Sequence, residues 1–265
     1  MSTKTYQTQK YYLKGTKLPK ETKTYKPVSH GQLIDLTLES IHQAGFVLDK
    51  ELYSTAKEGR IANGKFSISN VADKEMQLQI AWQNSYDKSL SLKFAIGARV
   101  FICSNGMVSG DMGAFKKAHK GDIQEFTPAK IVEYIKSAGD AFEKIQLQRE
   151  MMKHVEIDAR VTAELVGRMI LEKEFIASTQ LNIIEREIKH PTFDYNAPGT
   201  LWELYQHTTH AMKEVHPLLW MGNHIEAHDF FVNAAGELKS KIVPVEFAPS
   251  SQEKKQLTIF DQLNS

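Results

Sequence analysis

The chain has 265 residues, 42% apolar and 25% charged, with a formal net charge of +1. Such a chain buries a full core as one large or two small domains, and the composition excludes a disordered or fibrous protein. The near-zero net charge excludes attraction of the whole molecule to a polyanion, and a single cysteine excludes an internal disulfide and fits a reducing compartment. No apolar run reaches the ~18 residues of a membrane span. The opening MSTKTYQTQKYY lacks the apolar region of an export signal, so a cytoplasmic location without membrane attachment is expected.

Residues 1–29 are basic. Lys4, Lys10, Lys14, Lys17, Lys20, Lys23 and Lys26 stand against Glu21 alone, with Tyr6, Tyr11, Tyr12 and Tyr25 interleaved. Lysine neutralises phosphate and tyrosine stacks on bases, so this arm is a nucleic-acid candidate; the plainer reading is a solvated arm or an edge hairpin. From Ser29 the apolar spacing of Leu33, Ile34, Leu36, Leu38, Ile41 and Ala44 predicts a helix that stops at Gly45. Strand patterns follow. One begins at Phe46, one carries Phe66 and Ile68 after an Asn63-Gly64 turn, and one alternates Met76, Leu78, Ile80 and Trp82 with glutamines.

The stretch from Asn84 to Gly121 organises the sequence. Leu90, Leu92, Phe94 and Ile96 alternate with polar or small residues, and Ala98 to Cys103 reads as a more fully buried strand. Ser104-Asn105-Gly106 signals a hairpin turn. The pattern predicts an antiparallel meander with Gln77, Gln79, Gln83, Ser89, Ser91 and Lys93 on its exposed face. Thr127-Pro128 starts a helix through Ile131, Ile135, Ala138, Phe142 and Ile145, with Gly139 marking a kink or a close packing contact. Helices carrying Val161, Leu165 and Met169, one capped by Ser178, one opened by a Thr200/Glu203 capping box, and one over about 223–233 complete the set. The expectation is an α+β fold: residues 1–29 a basic arm, 30–126 an antiparallel β-meander with a flanking helix, 127–248 a helical region packed on it, and 249–265 a flexible tail.

NSYDKS, GARVFICSNGMVSGD and KKAHKG, in that order and spacing, together with Thr200-Leu201-Trp202-Glu203-Leu204-Tyr205, resemble a phage- and plasmid-borne family known only as a domain of unknown function. The matching stretches span about Leu33 to Val232. The resemblance implies a mobile-element protein from DNA-processing neighbourhoods, with no catalytic residues to carry over.

The tail reads PSSQEKKQLTIFDQLNS. Gln256-Leu257-Thr258-Ile259-Phe260 resembles the peptide by which bacterial replication and repair proteins bind the sliding clamp. An extended segment presents Leu257, Ile259 and Phe260 to an apolar groove while Gln256 anchors. The plainer reading is a final strand of the chain's own domain.

Other chemistry is thinner. Cys103 with Asn105, Asp111 and His119 is the one enzyme-like constellation, although a lone cysteine is more often a buried apolar residue and Asp is favoured in turns. His207 with His210 and His224 with His228 share helix faces, but HTTH lacks the glutamate of a zinc protease, so no metal site and no cofactor are assigned. Phosphate-loop and dinucleotide fingerprints are absent. The reading is a non-enzymatic single-stranded DNA-binding protein in recombination or replication, with strand annealing and a homo-oligomer implied by fold analogy. Tyr86 stacks on bases, Lys88, Lys93, Arg99, Lys116, Lys117, His119 and Lys120 contact phosphates, and the tail binds the clamp. A protein-binding module, such as an inhibitor of a host defence enzyme, is the main alternative.

Overall fold

A computed structural model of the chain describes residues 6–23, 25–102, 106–109, 115–117, 128–215 and 219–242. Seven antiparallel strands form one sheet: β1 (Tyr6–Thr8), β2 (Leu48–Ala56), β3 (Ile61–Ala72), β4 (Met76–Ser85), β5 (Leu92–Val100), β6 (Gly106–Ser109) and β7 (Phe115–Lys117). They follow chain order from β1 to β6, and β7 also pairs with β5. Among the described residues the short helix α1 (Lys10–Gly15) and the longer α2 (His30–Gln43) lie between β1 and β2. Six more described helices follow the sheet: α3 (Pro128–Lys136), α4 (Ala138–Lys153), α5 (Ala159–Leu171), α6 (Ser178–Lys189), α7 (Leu201–Ala211) and α8 (Trp220–Ile242). This is the α+β architecture, with the sheet first and helices after it.

Local chemistry accounts for several boundaries. Ser29 caps α2 by accepting from the Gln32 amide, and Gly45 ends it at φ +75°. The Gly45 amide bonds His42 O and the Phe46 amide bonds Ile41 O, the paired closure of a helix that finishes in left-handed geometry. Thr200 caps α7 through the Glu203 amide, while the Glu203 carboxylate reaches back to the Gly199 amide at 2.8 Å. In α6 the cap is Ala177, with Gln180 accepting from its amide, and Ser178 is the first helical residue.

Other expectations are corrected. Asn63-Gly64 is no turn. Both residues lie inside β3, and the chain reverses at Lys57, Glu58 and Gly59, all at positive φ. A Cβ at Gly64 would sit 2.6–2.8 Å from the Trp82 ring, so glycine is needed there for close approach across the sheet. The strand expected over Ala98–Cys103 is the end of β5: it stops at Val100, and Phe101 and Ile102 follow in a turn, 42% and 47% exposed. Cys103 lies outside the described residues. The helix break falls at Ser137, whose hydroxyl bonds Tyr134 O at 2.9 Å and diverts the turn two residues before Gly139. The final helix extends from Trp220 to Ile242, well beyond 223–233, because its apolar face continues through Ala234 and Ala235.

The first 29 residues are not a free arm where described. β1 pairs with β2, Leu13 is fully buried, and Lys10 and Lys14 pair with Glu51 at 2.7 Å and Asp35 at 2.5 Å. One apolar cluster runs from Leu13 through Trp82, Phe94 and Phe142 to Phe231, so sheet and helices share a core.

On the apolar face His30 opens α2 and stacks on Tyr86, ring centroids 3.8 Å apart at 6°. Its Nε2 donates to Gly59 O at 3.0 Å, and its Nδ1 accepts from Asn84 Nδ2 at 3.1 Å, which fixes a neutral tautomer. The Tyr86 hydroxyl accepts the His30 amide at 2.8 Å. At the β3–β4 turn, Asp73 accepts from the Glu75 and Met76 amides and from Gln146 and Arg149 of α4, all at 2.7–2.9 Å. Burial pushes the Asp73 carboxyl up, but these four donors outweigh it and hold it at about 2. That node pins the first long helix of the C-terminal half to the sheet.

Two outcomes follow. Gly64→Ala should lower stability by about 1–3 kcal/mol in urea unfolding, because the Trp82 ring must move off the strand. Burial lowers the His30 pKa from 6.5 to about 4 despite its bond to Gly59. The neutral ring therefore contributes stability that is complete above pH 6.5 and is lost as pH falls from 6.5 toward 4, up to about 3 kcal/mol. His207 and His210 are held down too, so the difference between the protein and His30→Gln isolates this component.

Candidate nucleic-acid interface

Successive side chains of a strand point to opposite faces, and cross-strand partners share a face. Register therefore sorts the sheet. Gly64, Phe66, Leu78, Ile80, Trp82, Phe94 and Ile96 face the core. The opposite face carries Asn63–Gln83–Lys93, Lys65–Ala81–Ala95, Ser67–Gln79–Gly97 and Gln77–Arg99 as rows of direct neighbours. Strands β3, β4 and β5 contain three charged residues, Lys65, Lys93 and Arg99, and all three lie on this face. None of the three strands has an acidic residue.

The polar face is not open along its length, as the alternation alone implied. The first turn of α8 lies on it because Ala81 and Ala95 leave a shallow depression, which Met221 fills completely buried. Gln77 and Gln83 are buried as well. Trp220 remains half-buried, donating from Nε1 to Asn63 Oδ1 at 3.2 Å, and Asn63 donates onward to Ser54 at 3.2 Å. Lys65 Nζ lies 4.2 Å from the Trp220 ring centroid, and His224 meets the same indole edge-on. A Cβ on Gly222 would be 3.9 Å from Lys93 Nζ, so that ammonium lies against the opening turn of α8, which has no acidic residue. Arg99 donates to Gln77 at 3.0 Å, and Gln77 donates to Asp49 at 3.3 Å.

Electrostatically the face is cationic. Lys65 is desolvated, which pushes its pKa down, and no carboxylate among the described residues pairs with it. The positive end of the α8 dipole adds the same sign. An indole beside an ammonium with amide side chains forms a set that takes anions and stacks planar groups, and Arg99 adds a cation farther along the face.

The residues singled out in sequence fall in different places. Lys93 and Arg99 belong to the face. Lys116 stands opposite Lys93 in the β5–β7 register and Lys117 opposite Leu92, while His119 and Lys120 lie outside the described residues. Lys88 is exposed at the β4–β5 turn, over the Tyr25 ring at 4.7 Å. Tyr86 does not fit the stacking role assigned to it: it is buried, one ring face is taken by His30, and its hydroxyl and carbonyl are both bonded. Lys65 and Trp220 were missed. Lys65 was hidden behind the false Asn63-Gly64 turn, and Trp220 preceded the expected start of the last helix. A strand pattern continued through Asn63-Gly64 would have placed Lys65 with Gln79 and Gln83.

The enzyme-like set Cys103, Asn105, Asp111 and His119 lies outside the described residues, as does the tail with Gln256, Leu257, Thr258, Ile259 and Phe260. Of the late histidines, His207, His224 and His228 are buried and His210 is half-buried. His228 bridges Tyr205 and Gln148 at 3.2 and 3.0 Å, and His207 is buried on α7. His210 lies 3.9 Å from Glu187, a buried carboxylate already held by Thr192. Among the described residues no group of three or more His, Cys, Asp or Glu is placed to hold a metal ion, and no helix is long and apolar enough to cross a membrane.

Residues 18–242 match the family described as Domain of unknown function (DUF932). The match covers most of the chain, and the chain belongs to that family. No solved structure matches it.

Replacing Lys65 with methionine removes a desolvated ammonium while keeping an unbranched apolar stem. Lys65→Met should raise stability by about 1 kcal/mol in urea unfolding, since the desolvation of the charge outweighs its contact with Trp220. A loss of stability would make Lys65 a fold-holding residue instead.

Proposed function

We propose that the protein binds single-stranded nucleic acid through the polar face of its sheet, in the DNA recombination or replication of a phage or plasmid. The observation that carries this reading is the placement of charge. Three central strands hold three cations and no acid, and register puts every cation on one face. Charges on a core-forming strand are costly to keep, so Lys65 and Lys93 beside the opening turn of α8 and its half-buried tryptophan, with Arg99 about 20 Å farther along the same face, point to an extended anionic ligand with planar parts. Lys65, Lys93 and Arg99 neutralise phosphates, Trp220 stacks, and Gln79 meets base edges. Lys116 extends the row from β7. The +1 net charge is no obstacle, since a local patch and not the whole chain makes the contact. In this reading Gln256 to Phe260 is the contact to a sliding clamp.

The reading is tested by fluorescence anisotropy with labelled single- and double-stranded oligonucleotides across a salt series. Single strands should bind with affinity falling steeply as salt rises. The triple change Lys65→Gln, Lys93→Gln and Arg99→Gln should lower the salt slope by about 2, and Trp220→Ala should weaken binding by roughly 5- to 100-fold. Lys57→Gln, a lysine paired with Asp87 at the β2–β3 turn, should leave binding unchanged. Absence of binding at low salt, or an unaltered slope in the triple variant, would refute the assignment and favour a protein-binding module.

A further inference from the structure

A second surface uses none of the residues of the basic face. Helices α5, α6 and α7 enclose a cleft of about 510 Å³, within the range of ligand-sized pockets. Its walls are Ile157, Ala163, Val166, Leu181, Ile184 and Leu204. Ile188 sits at its rim, 41% exposed. Polar groups are few. Asp158 and Glu203 cap the starts of α5 and α7, and Glu185 and Lys189 neutralise each other at 2.6 Å. The cleft is therefore apolar with a net negative margin. His207 lines it, buried, and its Nδ1 has no hydrogen-bond partner among the described residues.

The occupant is argued from reach, charge and pattern. Arg168 of α5 bonds Glu237 of α8 at 3.0 Å, so the end of α8 is tied to the helix that supplies Ala163 and Val166. Leu257 follows Ile242 by fifteen positions, a connection that spans up to roughly 50 Å. A tether of that length holds its end at an effective concentration on the order of millimolar. The segment Lys254-Lys255-Gln256-Leu257-Thr258-Ile259-Phe260 has two cations followed by three apolar anchors. That order complements an apolar cleft with a carboxylate margin, and Thr258 or Gln256 supplies a partner for His207.

We propose that this cleft is the intramolecular seat of the chain's own tail, with Leu257, Ile259 and Phe260 inside and Lys254 and Lys255 against Asp158 and Glu203. The inference does not rest on nucleic-acid binding, and it describes the tail without a clamp, which would have to displace it from this seat. The test is methyl NMR of the full chain with labelled isoleucine. The Ile259 methyl should resonate away from its random-coil position, independent of protein concentration, and show contacts to the Ile184 and Ile188 methyls. Phe260→Ala, a change in the tail alone, should shift Ile184 and Ile188, and Ala163→Phe should return Ile259 to random coil. The proposal is overturned by a random-coil Ile259 in the unaltered protein. It is equally overturned if Phe260→Ala leaves Ile184 and Ile188 unmoved, or if dilution abolishes the contacts, which would make the occupant a second copy.

Discussion

Trp82 lies against the backbone of Gly64, and the apolar side of the sheet is arranged around that contact. The absence of a side chain at Gly64 lets the largest residue of β4 lie across β3 without forcing the strands apart. Trp82 then presents its ring toward His30 at the start of α2, 6.4 Å away and nearly parallel, and His30 stacks in turn on Tyr86. One glycine thus sets the depth at which the first long helix meets the sheet. The His30 hydrogen bonds to Gly59 and Asn84 tie the same helix to the β2–β3 turn and to the end of β4. A neutral imidazole with both nitrogens occupied is a structural part, and its cost of protonation makes the node sensitive to acid.

The C-terminal half is attached by different physics. Asp73 collects two backbone amides, an amide side chain and an arginine at one turn, and its geometry holds α4 in place. Lys153 adds a pair to Glu75 at 2.6 Å. Isolated surface pairs contribute little, but a carboxylate that satisfies four donors at a half-buried turn fixes orientation as well as energy. With α4 fixed, α7 and α8 pack behind it through Trp202, Tyr205 and Phe231. The opening of α8 is thereby delivered to the other side of the sheet, where it meets the cations.

That delivery gives the two faces of one meander different work. The core side is apolar and helix-covered. The other side sets small residues under Met221, with Lys65 at the Trp220 ring, Lys93 against the opening turn of α8 and Arg99 farther along the same face beside Gln77. A lysine held in a desolvated place without a carboxylate is a local inconsistency of the kind that accompanies binding sites.

The sequence by itself determined the meander, the order of elements and most helix starts, since these follow from side-chain period and capping chemistry within a few residues. The Gly45 stop, the Ser29 and Thr200 caps and the alternation of β4 were legible for that reason, as was the family, through motifs spread from the sheet to α7. Where a signal had two local meanings, only the tertiary structure decided. Asn63-Gly64 is a turn by propensity and a strand by partnership, because the Trp82 ring demands a glycine from the neighbouring strand. Tyr86 is aromatic and near a turn, yet the His30 stack takes its face. Whether the glutamine-rich face met water or a helix depended on where α8 returns, a long-range contact that no window of the chain contains. The candidate site was legible in part: Lys93 and Arg99 stood out as charges on an apolar strand, while Lys65 and Trp220, brought together from positions far apart in the chain, became a pair only on folding.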